Sequence, residues 1–474
     1  MITDTLINTY MTNYQGGPST AALTDGGFVV CWQSYNQNGD GFFDVYAQRY
    51  DASGVARGDE FRINTKANHT DSQRIPSIAA LADGGFVVSW ESYNQDGDGL
   101  GVYARHYAAN GEAQGGEFLI NTVIADNQSN PSVAALADGG FVVTWNSYNQ
   151  DGNEFGIYAQ RYTASGAELG REFLVNTTTT SSQINPSITA LSDGGFVVSW
   201  ASHGQDGDSY GIFAQRYDSV GEVQGAEFLV NTTTASHQMA PSITALIDGG
   251  FVVTWNSYNQ DGSGYGVYAQ RYDANGAELG REFRINTATA SDQVGRSTTA
   301  LTDGGFVVTW QSFGQDGDGF GVYAQRYDAN GEIQGGEFRV NTTSTGHQSN
   351  SSVAALADGG FVVSWDSYGQ DGSDYGVYAK RYDADGNEIE WMIPPDLTSL
   401  PTADRLYNWA ESIYSDLFPN HPTSQDVFGY YARVYENGNA LGEQDDHIYF
   451  YDGNSITLVG TVDDFLPDAM AAGF

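Results

Sequence analysis

Cysteine is nearly absent from this chain. Cys31 stands alone among 474 residues, which excludes an internal disulfide and any cluster of thiolate metal ligands. Lysine is almost as scarce, at Lys66 and Lys380, and all basic residues together number 19 against 59 acidic ones, a formal net charge of −40. Without a basic patch to displace counterions from phosphates, such a chain is a poor partner for nucleic acid or anionic membrane. No run of about 18 apolar residues is present to cross a membrane as a helix. The opening stretch, MITDTLINTYMTNYQGGPST, has neither the basic nor the apolar region of a secretory signal, so a removed leader, another export route and retention inside the cell all stay open. Nucleophile-elbow, zinc-protease and P-loop motifs are missing, and the seven histidines form no spaced metal pair.

What is present is repetition. The string DGGFVV begins at Asp25, Asp83, Asp138, Asp193, Asp248, Asp303 and Asp358, with a first interval of 58 residues and five of 55. Each unit holds four strand-like runs, in the third SVAAL, GFVVTW, GIYAQRY and EFLVNT, bounded by glycine-rich turns at fixed positions. Phe141, Val143 and Trp145 alternate with Val142 and Thr144, a pattern for a sheet covered on both faces. Seven such sheets stacked side by side predict an all-β, seven-bladed β-propeller of four-stranded blades, with an open β-solenoid as the alternative. The seventh unit lacks an EF-x-VNT run, whereas the chain opens with LINT. A ring needs such complementary ends because closure removes an exposed edge. The organisation read from the sequence is therefore a propeller over residues 1–390, its seventh blade closed by an N-terminal strand at 3–9. A linker at 391–400 leads to a small C-terminal α+β module at 401–474, whose helix would present Leu406, Trp409, Ala410, Ile413 and Leu417 on one face.

The repeat ALADGGFVVTW…QDGSGYGVYAQRYDANG resembles the tandem repeats of bacterial secreted and surface proteins of calcium-binding, adhesin-like type. The resemblance covers roughly residues 1–390 and implies an extracellular or cell-surface protein that binds or attaches. The GGxGxD nonapeptide of a neighbouring calcium-repeat family does not recur. Against the DxDxDGxxD loop of integrin-type propellers, Asn94, Asp96, Asp98 and Gly99 fit the first half and nothing acidic follows at the far end.

Two sets of candidate site residues follow. The first is a possible calcium loop between the second and third strands, with oxygen-bearing side chains at Asn36, Asn38 and Asp40; Asn94, Asp96 and Asp98; Asn149, Asp151 and Asn153; Asp206 and Asp208; and Asp316 and Asp318. Calcium takes six to eight oxygens, so three per loop need water or a neighbouring loop, and an Asx turn bonded to its own backbone is the competing reading. The second is a glycan-binding face gathering recurrent glutamines and loop aromatics, best seen in Gln73, Gln95 and Tyr93, and in Gln128, Gln150 and Tyr148. Glutamines that satisfy buried backbone groups between blades are the competing reading there. Seven recurrent tryptophans and six Arg-Tyr arginines read as packing and internal pairing. The sequence thus predicts a non-enzymatic extracellular binding, adhesion or surface-structural protein. Calcium is its expected cofactor, a surface glycan or protein its expected partner, and its C-terminal module a means of self-association. A polysaccharide-acting propeller enzyme and a subunit of a surface filament or layer are the alternatives.

Overall fold

The computed structural model describes residues 3–65 and 72–391, with short stretches at 435–436, 439–440, 447–451 and 456–461. Every described element is a β-strand. Met1–Trp391 form one compact unit of seven antiparallel sheets. In the third, Gln128–Ala135, Phe141–Tyr148, Phe155–Tyr162 and Glu168–Leu174 lie side by side in chain order. The innermost strands of successive blades touch, and Gln15–Ala22 meets Gln73–Ala80 on one side and Gln348–Ala355 on the other. That contact closes the ring. It is a seven-bladed β-propeller.

The cores lie between blades, which is why both faces of each second strand are apolar. Phe28, Val29, Val30, Cys31 and Trp32 are all fully buried, as are their counterparts in the other units apart from a trace of exposure at Trp255 and Thr254. Cys31 thus occupies the small strand position that serine or threonine holds elsewhere. The DGG turn has a steric reason: a Cβ on Gly27 would stand 2.2 Å from the Tyr50 carbonyl. Its absence lets Phe28 stack on Tyr50 at 4.9 Å.

Two repeated ties bind blade to blade, the first in six blades, since His106 replaces the arginine in the second. The arginine of the third strand crosses to carbonyls of the following blade, as Arg161 does to Val220 and Ser219 and Arg381 to Ala52 across the seam. Pairing with the repeated aspartate is looser, 3.6 Å for Arg381 to Asp358. The second tie is a glutamate of the outer strand. Glu117 accepts from Gln95 of its own blade and from the Thr65 N–H of the blade before, and Glu172 repeats this with Gln150 and Thr122.

The seventh blade has a composite outer strand. Thr5 and Leu6 pair with Ala379 and Tyr378, and Ile389 and Glu388 pair with Arg381 and Tyr382. Asp4 takes the glutamate's place, accepting from Gln370 and from the Thr342 N–H. Trp391, read from sequence as the start of a linker, instead packs edge-on against Phe28 and Tyr50 and is 7% exposed, so it belongs to the propeller. The rest of the linker and the expected helix lie outside the described residues. Beyond them, Tyr435–Glu436 pairs with Asn439–Ala440 and His447–Tyr451 with Ile456–Thr461.

Candidate active site

Because strands alternate in direction, the turn entering each first strand and the loop leaving each second strand share one face. Both sets of residues singled out from the sequence lie there. The glutamines are committed to structure. Gln128 is fully buried, donating to the Ala125 carbonyl and accepting from Asn121, while Gln73 is 1% exposed, donates to the Ser92 hydroxyl and accepts from Asn64. Gln95 and Gln150 are the donors of the interblade tie described above. The tyrosines are the exposed members, Tyr93 at 52% and Tyr148 at 39%. They belong to a ring of solvent-facing aromatics continued by Tyr35, Tyr258, Phe313 and Tyr368.

The recurrent loop aspartate is only half engaged: one oxygen bonds locally, while Asp96 Oδ2, Asp151 Oδ2, Asp206 Oδ2 and Asp316 Oδ1 are buried with no hydrogen-bond partner among the described residues. Asp96 Oδ1 accepts from the Asp98 N–H, and Asp151 and Asp206 repeat this with Asn153 and Asp208. Asp98, Asp208 and Asp318 each reach a backbone N–H of the next entering turn, at Asp126, Ser236 and Gly346. Asn36 accepts from Gly41, and its own backbone is left-handed, as are those of Asn94 and Asn149. In the first blade the acid has moved: Asn38 donates to Asp40 and to Asp44, a residue that is glycine in the other six units. Asp316 lies near Asn341, which donates to it at 3.3 Å. Burial pushes the Asp96 and Asp44 carboxyls up. Among the described residues no three His, Cys, Asp or Glu side chains gather as a metal cluster.

The sevenfold pattern breaks two residues below the face. There the first and second strands of each blade set one residue directly opposite another: Gly16 and Gln33, Arg74 and Glu91, Ser129 and Asn146, Ile184 and Ala201, Met239 and Asn256, Val294 and Gln311, Ser349 and Asp366. The glutamine–serine row above and the second-strand tryptophans below are the same in every blade; this row, with the first-strand residue that follows it, is not. The second member usually accepts an N–H from the innermost strand of the following blade, as Gln33 does from Ile75 (3.1 Å) and Asn146 from Asn185 (3.1 Å). An amide is enough for that task, and it is used in four blades. Ala201 shows that the ring tolerates having no acceptor at all.

Carboxylates occupy this row in two blades only. Glu91, 7% exposed, accepts from the Asn130 N–H at 3.3 Å, and burial holds its carboxyl above the usual carboxylate range. Asp366 is fully buried and accepts from the Ser349 hydroxyl (2.6 Å), the Asn350 amide (2.8 Å) and the Gly17 N–H (3.1 Å). Between them runs a strip across three blades. Tyr375 lies 5.4 Å from Tyr14, Tyr14 lies 5.7 Å from Phe43, and the Arg74 guanidinium lies over Phe43 at 4.3 Å. Tyr14 has no aromatic counterpart at the same place except His237 and His347. Its hydroxyl and the Asp366 carboxylate flank Gly16, 2.7 and 2.8 Å from where a Cβ would stand, and burial, then Asp366, raise its phenol pKa. The second blade adds a strained residue: Ile75 is left-handed at φ 51°, which is rare for a β-branched side chain, and it is 43% exposed. None of Tyr14, Arg74, Ile75, Glu91 or Asp366 stands out in a single unit. Their signal is the row that varies when seven units are aligned.

No family model matches this chain, and no curated protein matches it. Solved structures do. An ulvan lyase, a polysaccharide lyase, aligns with 82% of this chain and 96% of its own at 9% identity and a TM-score of 0.51. A Penicillium chrysogenum α-L-arabinanase complexed with arabinobiose aligns with 81% and 98% at 12% identity and a TM-score of 0.47. A Dyadobacter fermentans protein of unknown function aligns with 80% and 97% at 12% identity and a TM-score of 0.48. At such identity the likeness is one of fold. It nevertheless corrects the expectation of a non-enzyme, which rested on the regularity of the repeat: the same fold carries a lyase, so a regular ring is no argument against catalysis. In this chain the departures that looked modest along the sequence are gathered by the ring into one row below one face.

Proposed function

We propose that this propeller is an enzyme acting on a polysaccharide, with its site at the mouth of the ring across blades seven, one and two. The observation that carries this reading is the replacement of amides by carboxylates at Glu91 and Asp366, in a row where an amide already meets the structural need. The strip Tyr375–Tyr14–Phe43–Arg74 offers ring faces on which sugars stack, and the peripheral ring of exposed tyrosines extends the surface for a long polymer. Glu91 is the proton donor to a departing glycosidic oxygen, because burial favours its protonated form. Asp366, beneath Gly16 and Gly17, positions Tyr14 and the inner strand of blade one. A polysaccharide lyase shares the fold, which supports the substrate class. An enzyme of this sort meets its substrate outside the cell, so we place the protein there.

The test is a screen of neutral, uronate and sulfated polysaccharides, read by new reducing ends and by absorbance of an unsaturated product. We expect at least one polymer to be cut, with Glu91→Gln slowed by roughly a hundredfold or more and Gln33→Ala active. Cleavage of none, or equal cleavage by Glu91→Gln, overturns the reading.

A further inference from the structure

We infer that the mouth takes an acidic sugar, its anionic group seated on the Arg74 guanidinium. The inference rests on the reading above for the place of the site and adds the substrate's charge.

A cation at this position serves no repeat-wide purpose. The other six units have Gly16, Ser129, Ile184, Met239, Val294 and Ser349 there. Arg171, Arg281, Arg284 and Arg339 lie on outer strands, away from the mouth, and most of the remaining basic side chains are engaged. The third-strand arginines donate to carbonyls of the next blade, Arg105 donates to the Ile63 carbonyl, Arg62 lies near Asp44, and Lys380 is buried between Asp4 and Glu388. Arg74 differs. Its register partner Glu91 accepts from Asn130 of the third blade and feels the Arg74 charge, which acts on its carboxyl against burial, while Arg74 lies over Phe43 of the first. Among the described residues no carboxylate lies within 4.0 Å of the Arg74 guanidinium. Arg74 is exposed and its guanidinium carbon lies over the Phe43 ring, and a guanidinium against an aromatic face keeps N–H donors able to pair with a carboxylate or a sulfate. The neighbouring Ile75 is the strained residue of the mouth, so the backbone that presents Arg74 is held in a costly conformation that Asn130, Asn185 and Asn350 adopt at less cost.

The global charge sharpens the point. At −40 the chain repels a polyanion at long range, so an acidic polymer binds only where a local cation receives it. A neutral polymer needs no such cation. This predicts an unusual salt response: moderate salt, by screening the general repulsion, strengthens binding of the acidic polymer before higher salt weakens the contact at Arg74.

The experiment is affinity electrophoresis of the full chain through gels holding polygalacturonate, a neutral arabinan or a sulfated galactan, for the parent, Arg74→Gln and Arg74→Lys. A spectroscopic check of folding accompanies each variant; small and apolar residues at the equivalent positions show that the strand accepts substitution. We expect one acidic polymer to retard the parent, Arg74→Gln to weaken that binding roughly ten- to hundredfold, and Arg74→Lys to restore part of it. The polymer that responds distinguishes carboxylate from sulfate. Retardation by the neutral polymer alone, or equal weakening on all three by Arg74→Gln, overturns the inference, as does no retardation by any. Binding of an acidic polymer without turnover leaves the inference standing and overturns the proposed activity.

Discussion

Deleting residues 1–9 removes part of the outer strand of the seventh blade at the seam of the ring, and the structure says what is lost. Ile7, 3% exposed, packs with Phe28, Val30, Trp32 and Trp391, and burial of such a side chain stabilises by about 1.5–3 kcal/mol. The Val377 N–H loses the Asn8 side chain at 2.6 Å, and the Val377 carbonyl loses the Ile7 N–H at 2.8 Å. Asp4 takes with it the acceptor for the Thr342 and Thr343 N–H groups and for Gln370. Hydrogen bonds to a charged group contribute about 1.5–3 kcal/mol each. Lys380, 2% exposed, keeps only Glu388. The loss is thus on the order of 5 kcal/mol or more, a large share of the 5–15 kcal/mol that holds a typical domain folded. Urea unfolding of the truncated protein should show a much lower midpoint, with light scattering reporting association through the bared edge of Tyr375–Tyr382. An unchanged midpoint in a monomeric truncated protein refutes the reasoning.

Three further outcomes are expected. Ile75→Asn, which installs the residue that three other blades use in the same left-handed position, should raise stability by about 1 kcal/mol in urea unfolding and reduce binding at the mouth. Burial raises the Glu91 carboxyl, so the folded chain favours its protonated form and loses stability as pH rises from the ordinary carboxylate range through that raised value; Glu91→Gln should remove this loss, gaining over the parent at pH 7 and not at pH 4 in paired denaturation curves. Calcium is tested by thermal melting against magnesium at equal ionic strength. Asp96 Oδ1 and Asp98 are bonded to backbone and, among the described residues, no three acidic or His side chains gather around the free Asp96 Oδ2, so we expect equal responses, whereas a calcium-selective gain that Asp96→Ala removes more than Asp371→Ala establishes a site.

The architecture was legible because it is written seven times. A 55-residue period, four strand-like runs and apolar residues on both faces of FVVTW leave few arrangements besides a ring. The seam was legible for the same reason, since a missing EF-x-VNT at one end and LINT at the other are complementary. What repetition also did was draw attention to residues that recur. Gln128 and Gln150 recur because each blade must satisfy the same buried carbonyl and hold the same glutamate. The residues of the proposed site do the opposite: Glu91 and Asp366 differ from Gln33, Asn146 and Ala201, and Arg74 stands where glycine, serine or an aliphatic residue stands elsewhere. Cross-strand register and the ring together bring those differences to one strip. A single strand gives no hint that Tyr14, Phe43 and Arg74 touch.

Turnover by Glu91→Gln tests the central claim most directly. Gln33 and Gln311 already fill the equivalent place in two blades, and glutamine retains an acceptor for the Asn130 N–H, so the variant should fold as the parent does. On whichever polysaccharide the parent cuts, kcat should fall by roughly 10²- to 10⁴-fold, the usual worth of a positioned proton donor, with binding little changed. A Glu91→Gln protein that is folded and cuts the polymer at the parent's rate contradicts the account.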